Sequence, residues 1–140
     1  MFNELFTLES LNAISENTMT KHLGIEFSEI GKDYIKATMP VDKRTVQPLG
    51  LLHGGASVSL AETLGSVAAT MTVDSEKQYC VGLEINANHI KSAHNGLVEG
   101  TARPIHLGKK TQVWEVRIIN DANQLICISR ITIAIIDKRS

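Results

Sequence analysis

The chain has 140 residues, 43% of them apolar and 21% charged, with a net charge of −1. That length supports one domain, residues 1–140, around one core and not two. The charge balance argues against a basic nucleic-acid-binding surface and against electrostatic docking on a membrane, while a local cationic site for a small anion stays open.

Residues 7–17 predict a short helix that Thr7 can cap, with Leu8, Leu11 and Ile14 at helical spacing and Gly24 as a later break. From Glu26 to Met39 the pattern alternates, with Ile35, Ala37 and Met39 on one face, which predicts a strand ended by Pro40. A loop without clean period follows. In the segment from Ala56 to Thr72 the period changes to about 3.6. Leu60, Leu64, Val67 and Met71 form an apolar stripe, and Ser59, Glu62, Ser66 and Thr70 form a polar one. A helix this poor in charge has to be wrapped by other elements.

Four alternating runs come next. Val81, Leu83, Ile85 and Ala87 alternate with Gly82, Glu84, Asn86 and Asn88; LVEGTARPI follows; TQVWEVRII puts Gln112, Trp114, Val116 and Ile118 on one face; LICISRITIAII comes after the turn NDANQ. One strand, a long helix and four strands joined by short links predict an α+β fold in which an antiparallel meander curls around the helix.

The opening MFNELFTLES lacks the basic and apolar regions of a secretory leader, and no later stretch is long enough to span a bilayer. Cys80 and Cys127 lie in apolar stretches without a CxxC, so they read as buried free thiols. Both features predict a cytoplasmic protein. His22, His53, His89, His94 and His106 form no HExxH and have no cysteine ligands nearby, so neither a metal nor another cofactor is expected.

Glu62 is the one charge on the long helix. A carboxylate there can act as base or nucleophile, or can be a buried partner for an arginine. Gly54 and Gly55 precede it at the helix N-terminus, where unpaired N–H groups and the helix dipole favour a developing negative charge. Gly55 is favoured as the main oxyanion donor and Gly54 is the alternative; the pair can also be a simple turn. His53 can be a structural hydrogen bonder. Ser66, four residues beyond Glu62, shares its face or merely packs. Ser57 in HGGAS does not sit in a GxSxG elbow, so serine catalysis is not expected. The segments NHIKS and HLGKKT carry lysines suited to phosphate, though a basic turn alone is commonly just solvated.

The segment HGGASVSLAETLGSVA resembles the hotdog-fold acyl-CoA thioesterases, in which an antiparallel sheet of five or six strands wraps one long helix. With ATMPVDKRTVQPLGLLHGGASVSLAETLGS, VGLEINANHIKSA, PIHLG and QVW, the chain from about residue 7 to 136 is similar in particular to the bacterial 1,4-dihydroxy-2-naphthoyl-CoA hydrolases of menaquinone biosynthesis and to the enterobactin proofreading thioesterases. The first six residues and the ending DKRS have no assignment.

The resemblance implies that Glu62 is the catalytic carboxylate, that His53 orients the thioester carbonyl, and that Gln47 positions the water or the carbonyl, reaching across to the glutamate of a second copy. It implies a substrate or water contact for Ser66. It places coenzyme A against Gly82, against His89, Ile90, Lys91 and Ser92, and against His106, Leu107, Gly108, Lys109, Lys110 and Thr111. It also implies a CoA thioester substrate and a homodimer, pairing again into a homotetramer, with shared active sites. Within the class, the alternative is a broad aroyl-CoA, fatty-acyl-CoA or carrier-protein thioesterase. Outside it, the alternative is a non-catalytic acyl-CoA sensor, which has no need of a base.

Overall fold

The computed structural model describes residues 1–139; Ser140, the last residue of the expected domain, lies outside them. Thr7 caps α1 (Leu8–Ile14) through a reciprocal box, its Oγ1 accepting the Ser10 N–H at 3.1 Å while Ser10 Oγ accepts the Thr7 N–H at 3.0 Å. The helix is shorter than the predicted 7–17 because Asn17, at φ 61°, turns the chain left-handed. A single-turn helix, α2 (Met19–His22), follows and was not predicted.

The stretch predicted as one strand from Glu26 to Met39 is a hairpin of β1 (Glu26–Ile30) and β2 (Ile35–Pro40), closed by a Gly31 N–H to Tyr34 carbonyl bond of 2.8 Å. Pro40 is the last residue of β2 rather than a stop after it. Ile35, Ala37 and Met39 are buried on one face, as the alternation predicts.

The central helix, α3 (Gly54–Thr70), starts two residues before the predicted Ala56 and contains both glycines. Its inner stripe is Leu60, Leu64 and Ala68 with the small residues Ala56, Ala61 and Gly65, while Val67 is only partly covered. Burying Leu60 and Leu64 completely contributes about 1.5–3 kcal/mol each. Small residues bring helix and sheet close: a Cβ at Gly65 would lie 2.4 Å from Ile131 Cγ2, and one at Gly100 2.5 Å from Leu64 Cδ1.

Four strands follow: β3 (Gln78–His89), β4 (Leu97–Leu107), β5 (Thr111–Ile119) and β6 (Leu125–Asp137). All six strands pair antiparallel in the order β1-β2-β4-β5-β6-β3 and wrap α3. The predicted meander holds only for β4, β5 and β6. β3 does not pair with β4. The link at 90–96 is drawn across the end of the sheet instead, held by the Ile90 N–H to the Ile126 carbonyl (2.7 Å), the Leu52 N–H to the Ala93 carbonyl (2.7 Å) and the Val41 N–H to the Gly96 carbonyl (2.9 Å). This route carries the chain from one sheet edge to β2 on the other side, and leaves β3 as an edge strand.

β3 also departs from simple alternation. A bulge between Gly82 and Glu84 shifts the register, so Cys80 and Gly82 face inward before it and Ile85 and Ala87 after it. Val81 and Leu83 therefore do not share a face with Ile85 and Ala87. Gln112, Trp114, Val116 and Ile118 are all buried, as predicted. Trp114 Nε1 donates to Gln112 Oε1 at 2.8 Å, and Gln112 Nε2 donates to Thr72 Oγ1 at 2.8 Å, so the buried polar atoms are satisfied. The first residues, unassigned from the sequence, dock here: Phe2 stacks on Trp114 with centroids 6.2 Å apart, and the Asn3 N–H donates to the Met71 carbonyl at 2.8 Å.

Candidate active site

The loop entering α3 is anchored before it reaches the site. Arg44 Nη2 donates to Asp42 Oδ2 at 2.7 Å and the Arg44 N–H to Asp42 Oδ1 at 2.9 Å; the guanidinium holds the Asp42 carboxyl at about 2. Asp42 thus stays ionised, and the loop clamped, at any pH well above that value. Thr45 Oγ1 donates to the Pro40 carbonyl at 2.7 Å, and the Thr45 carbonyl receives the His53 N–H at 2.8 Å. Between these anchors Gln47 begins a tight turn whose Gly50 has φ 79°. Gln47 Oε1 accepts the Leu49 N–H, and its NH2 has no partner among the described residues.

His53 is the N-cap of α3, and its Nδ1 accepts the Gly55 N–H at 2.8 Å. The donor favoured from the sequence, the Gly55 N–H, is therefore occupied. The Gly54 N–H has no acceptor among the described residues and is the N–H free to meet an incoming oxygen. The His89 ring lies directly over Gly54, where an added Cβ would sit 2.9 Å from His89 Nε2.

A groove of about 260 Å³ opens at this end of the helix, bordered by Gln47, Gly54, His89, Ile90, Lys91 and Ser92. The buried Ser57, considered from the sequence only as a nucleophile, also lines it; its apolar walls, Leu51, Leu52, Ala93 and Ile126, were not singled out from the sequence. Nothing in a lone strand or helix pattern marks them. They meet only because the link after β3 crosses the start of α3.

Glu62 lies elsewhere. It is eight residues beyond Gly54 in α3, roughly 12 Å along the axis at 1.5 Å per residue. Its half-buried carboxylate faces Gly82 of β3, and it has neither an ion-pair nor a hydrogen-bond partner among the described residues. Ser66 follows on the same face, its hydroxyl likewise without a partner there, whereas Ser59 Oγ and Thr70 Oγ1 bond back to the Gly55 and Ser66 carbonyls at 2.9 Å.

The two segments expected along coenzyme A are not together in one chain. Of the segment His106 to Thr111, Leu107, Gly108, Lys109 and Lys110 border an open cavity of about 760 Å³ with Thr72 and Val73, at the far end of α3, while His106 and Thr111 do not line it. Thr111 is level with Ala134 and Val81, and His89 is eight strand residues further on, roughly 26 Å away at 3.3 Å per residue. Lys110 donates to Asp137 Oδ2 at 2.8 Å, and Gln78 and Lys110 together lower the Asp137 pKa. Among the described residues Lys91 and Lys109 are in no ion pair. Cys80 and Cys127 are free, and burial raises both thiol pKa values. Among the described residues no cluster of metal-ligating side chains forms and no helix is long and apolar enough to cross a membrane.

The sequence pattern of the family described as “Thioesterase superfamily” matches residues 49–127, the stretch from the Gln47 turn into β6. The chain is 55% identical over 130 residues to the 1,4-dihydroxy-2-naphthoyl-CoA hydrolase of Escherichia coli, covering 93% of this chain and 95% of that one. It is 50% identical over 129 residues to the proofreading thioesterase EntH of Cronobacter turicensis, covering 92% and 93%. The crystal structure of a mutant thioesterase from Pseudomonas aeruginosa superposes with a TM-score of 0.96 at 47% identity, over 98% of this chain and 99% of that one.

Proposed function

This chain belongs to the thioesterase superfamily of hotdog-fold thioester hydrolases, and we propose that it hydrolyses an aromatic acyl-CoA, foremost 1,4-dihydroxy-2-naphthoyl-CoA, with Glu62 as the catalytic carboxylate. The observation that carries the reading is an unpaired, half-buried carboxylate on an otherwise uncharged helix. Burying a charge without a partner is costly and does nothing for the fold. A sensor or a structural subunit gains nothing from it.

Glu62 attacks the thioester carbon or deprotonates the attacking water. The free Gly54 N–H at the positive end of α3 receives the oxygen as it becomes negative. We assign this donor to Gly54 rather than Gly55. Gln47, whose NH2 is unpaired among the described residues, borders the same groove as Gly54, and His53 adjoins Gly54 as the helix N-cap; both are assigned to orienting the carbonyl. The identity with the Escherichia coli hydrolase supports the naphthoyl substrate. The test is kcat/KM on a panel of aroyl-CoA, fatty-acyl-CoA and carrier-bound thioesters; highest efficiency on a fatty-acyl or carrier-bound member would transfer the assignment to that class.

The separation along the helix, roughly 12 Å between the backbone positions of Gly54 and Glu62, of which the glutamate side chain spans only part, favours a carbonyl served by Gly54 of one copy and Glu62 of another, because the attacked carbon and its oxygen are neighbours. β3 offers the surface for it: an unpaired sheet edge of twelve residues whose Tyr79, Val81 and Leu83 are 46%, 40% and 61% exposed. Two such pairs forming a tetramer complete the assembly. Light scattering is expected to give a dimer or tetramer, and a stable, active monomer would refute the shared site.

Lys91 and Lys109 are the cations free to meet the coenzyme A phosphates. Charge-removing substitutions at either are expected to raise KM several-fold and leave kcat nearly unchanged, because the contact exists in ground and transition states alike. The effect should shrink at high salt. Steady-state kinetics at two ionic strengths measures it, and a large kcat loss at constant KM would contradict the assignment.

A further inference from the structure

We propose that Gly82 is a positioning residue for Glu62: by carrying no side chain it reserves the space in which the carboxylate is held. The inference rests on the catalytic reading of Glu62. A Cβ at Gly82 would lie 2.6 Å from Glu62 Oε1 and 3.6 Å from its Cδ, so a methyl group and the carboxylate cannot both occupy the present arrangement. The backbone makes no demand of its own. Among the described glycines, positive φ belongs to Gly24, Gly50 and Gly96, and Gly82 has an ordinary strand conformation that alanine also adopts. The Glu62 carboxylate is what excludes a side chain there.

The bulge that follows points the same way. Regular alternation from Gly82 would turn Glu84 toward α3 and bring a second negative charge to its side of the strand. The register shift turns Ile85 inward instead and leaves Glu84 exposed. Gly82 and the bulge together give Glu62 a bare, apolar and uncharged wall, with Ile131 Cδ1 3.9 Å from the vacant Cβ position.

The test is a cycle of four proteins: wild type, Gly82→Ala, Glu62→Asp and the double variant, with kcat, KM and Tm measured for each. The atom displaced by the alanine methyl is the far end of a flexible side chain, so Tm is expected to stay near wild type. kcat is expected to fall about 10- to 100-fold, the cost of misplacing a reacting group by about 1 Å, with KM little changed. Aspartate is one methylene shorter and withdraws the carboxylate from Gly82. In that background alanine is expected to cost less than about threefold in kcat, a strong departure from additivity. Equal losses in both backgrounds, or a rise in KM in both, would mean that the methyl obstructs substrate, and would overturn the proposal. So would a crystal structure of Gly82→Ala with the Glu62 carboxylate in its original place. Glu62→Gln assayed alongside separates the two levels: wild-type turnover there removes the catalytic reading and this inference with it, whereas an inactive Glu62→Gln with an additive cycle removes the positioning role alone.

Discussion

Glu62→Gln is expected to lower kcat by about 10²–10⁴-fold while the protein stays folded. Glutamine keeps the size of the side chain and removes its charge and basicity. Folding has little to lose, because Glu62 makes no ion pair and no hydrogen bond among the described residues; Arg44, Arg103 and Arg117 are paired with Asp42, Asp33 and Glu115 instead. Tm is expected to hold or rise slightly, since a partly buried charge is gone. Substrate should still bind, because the Gly54 donor and the free lysines are untouched. A carboxylate present only for structure gives the reverse pattern, a lower Tm with per-molecule kcat unchanged. Both quantities measured on one preparation decide, and near-wild-type turnover by the folded variant would show that Glu62 is not the catalytic group.

The reach of the sequence differs from element to element. The long helix with its single charge and the buried face of β5 follow from period and composition, because each is a local property of consecutive residues, whereas the two glycines that open the helix carry no apolar period and fall outside its predicted span. The β1–β2 hairpin was hidden by parity. Phe27 and Ile35 both face inward and are eight residues apart, because the register shift between Phe27 and Glu29 cancels the change of parity that the turn makes between Ile30 and its partner Ile35, so the hairpin reads as one strand. Gly31 and Asp33 were the turn signals that could have divided it. In β3 the reverse happened: an unbroken alternation in sequence conceals a bulge, for which a glycine inside the strand was the available sign. The place of β3 at the sheet edge was beyond local reading, since short links imply neighbouring strands. At the proposed site, Glu62, His53 and the glycine pair stand out in the sequence by residue type and by their place around one helix. That His53 takes the Gly55 N–H and leaves the Gly54 N–H free depends on a side-chain rotation at the cap, which residue types alone do not specify.

Two inactive variants are expected to restore activity when their subunits are mixed. Glu62→Gln removes the carboxylate, and Gly54→Pro removes only the free N–H. Gly54 is the first residue of α3, where proline fits a helix and costs no backbone bond. His53, with φ −66° and ψ 131°, already has the extended conformation that a residue before proline requires. At the Cβ position the ring meets the exposed His89 side chain, which has to move aside. Losing one oxyanion donor is expected to lower kcat by about 10²–10³-fold. If a site combines Glu62 of one copy with the α3 start of another, each mixed pair contains one whole site and one doubly broken site. Half of the pairs are mixed after random exchange, so unfolding and refolding an equimolar mixture should recover about a quarter of wild-type activity from two nearly inactive parents. A site built within one chain recovers nothing, because each chain keeps its own lesion. Activity of the refolded mixture no higher than the mean of its parents would therefore refute the site shared between Gly54 of one copy and Glu62 of another.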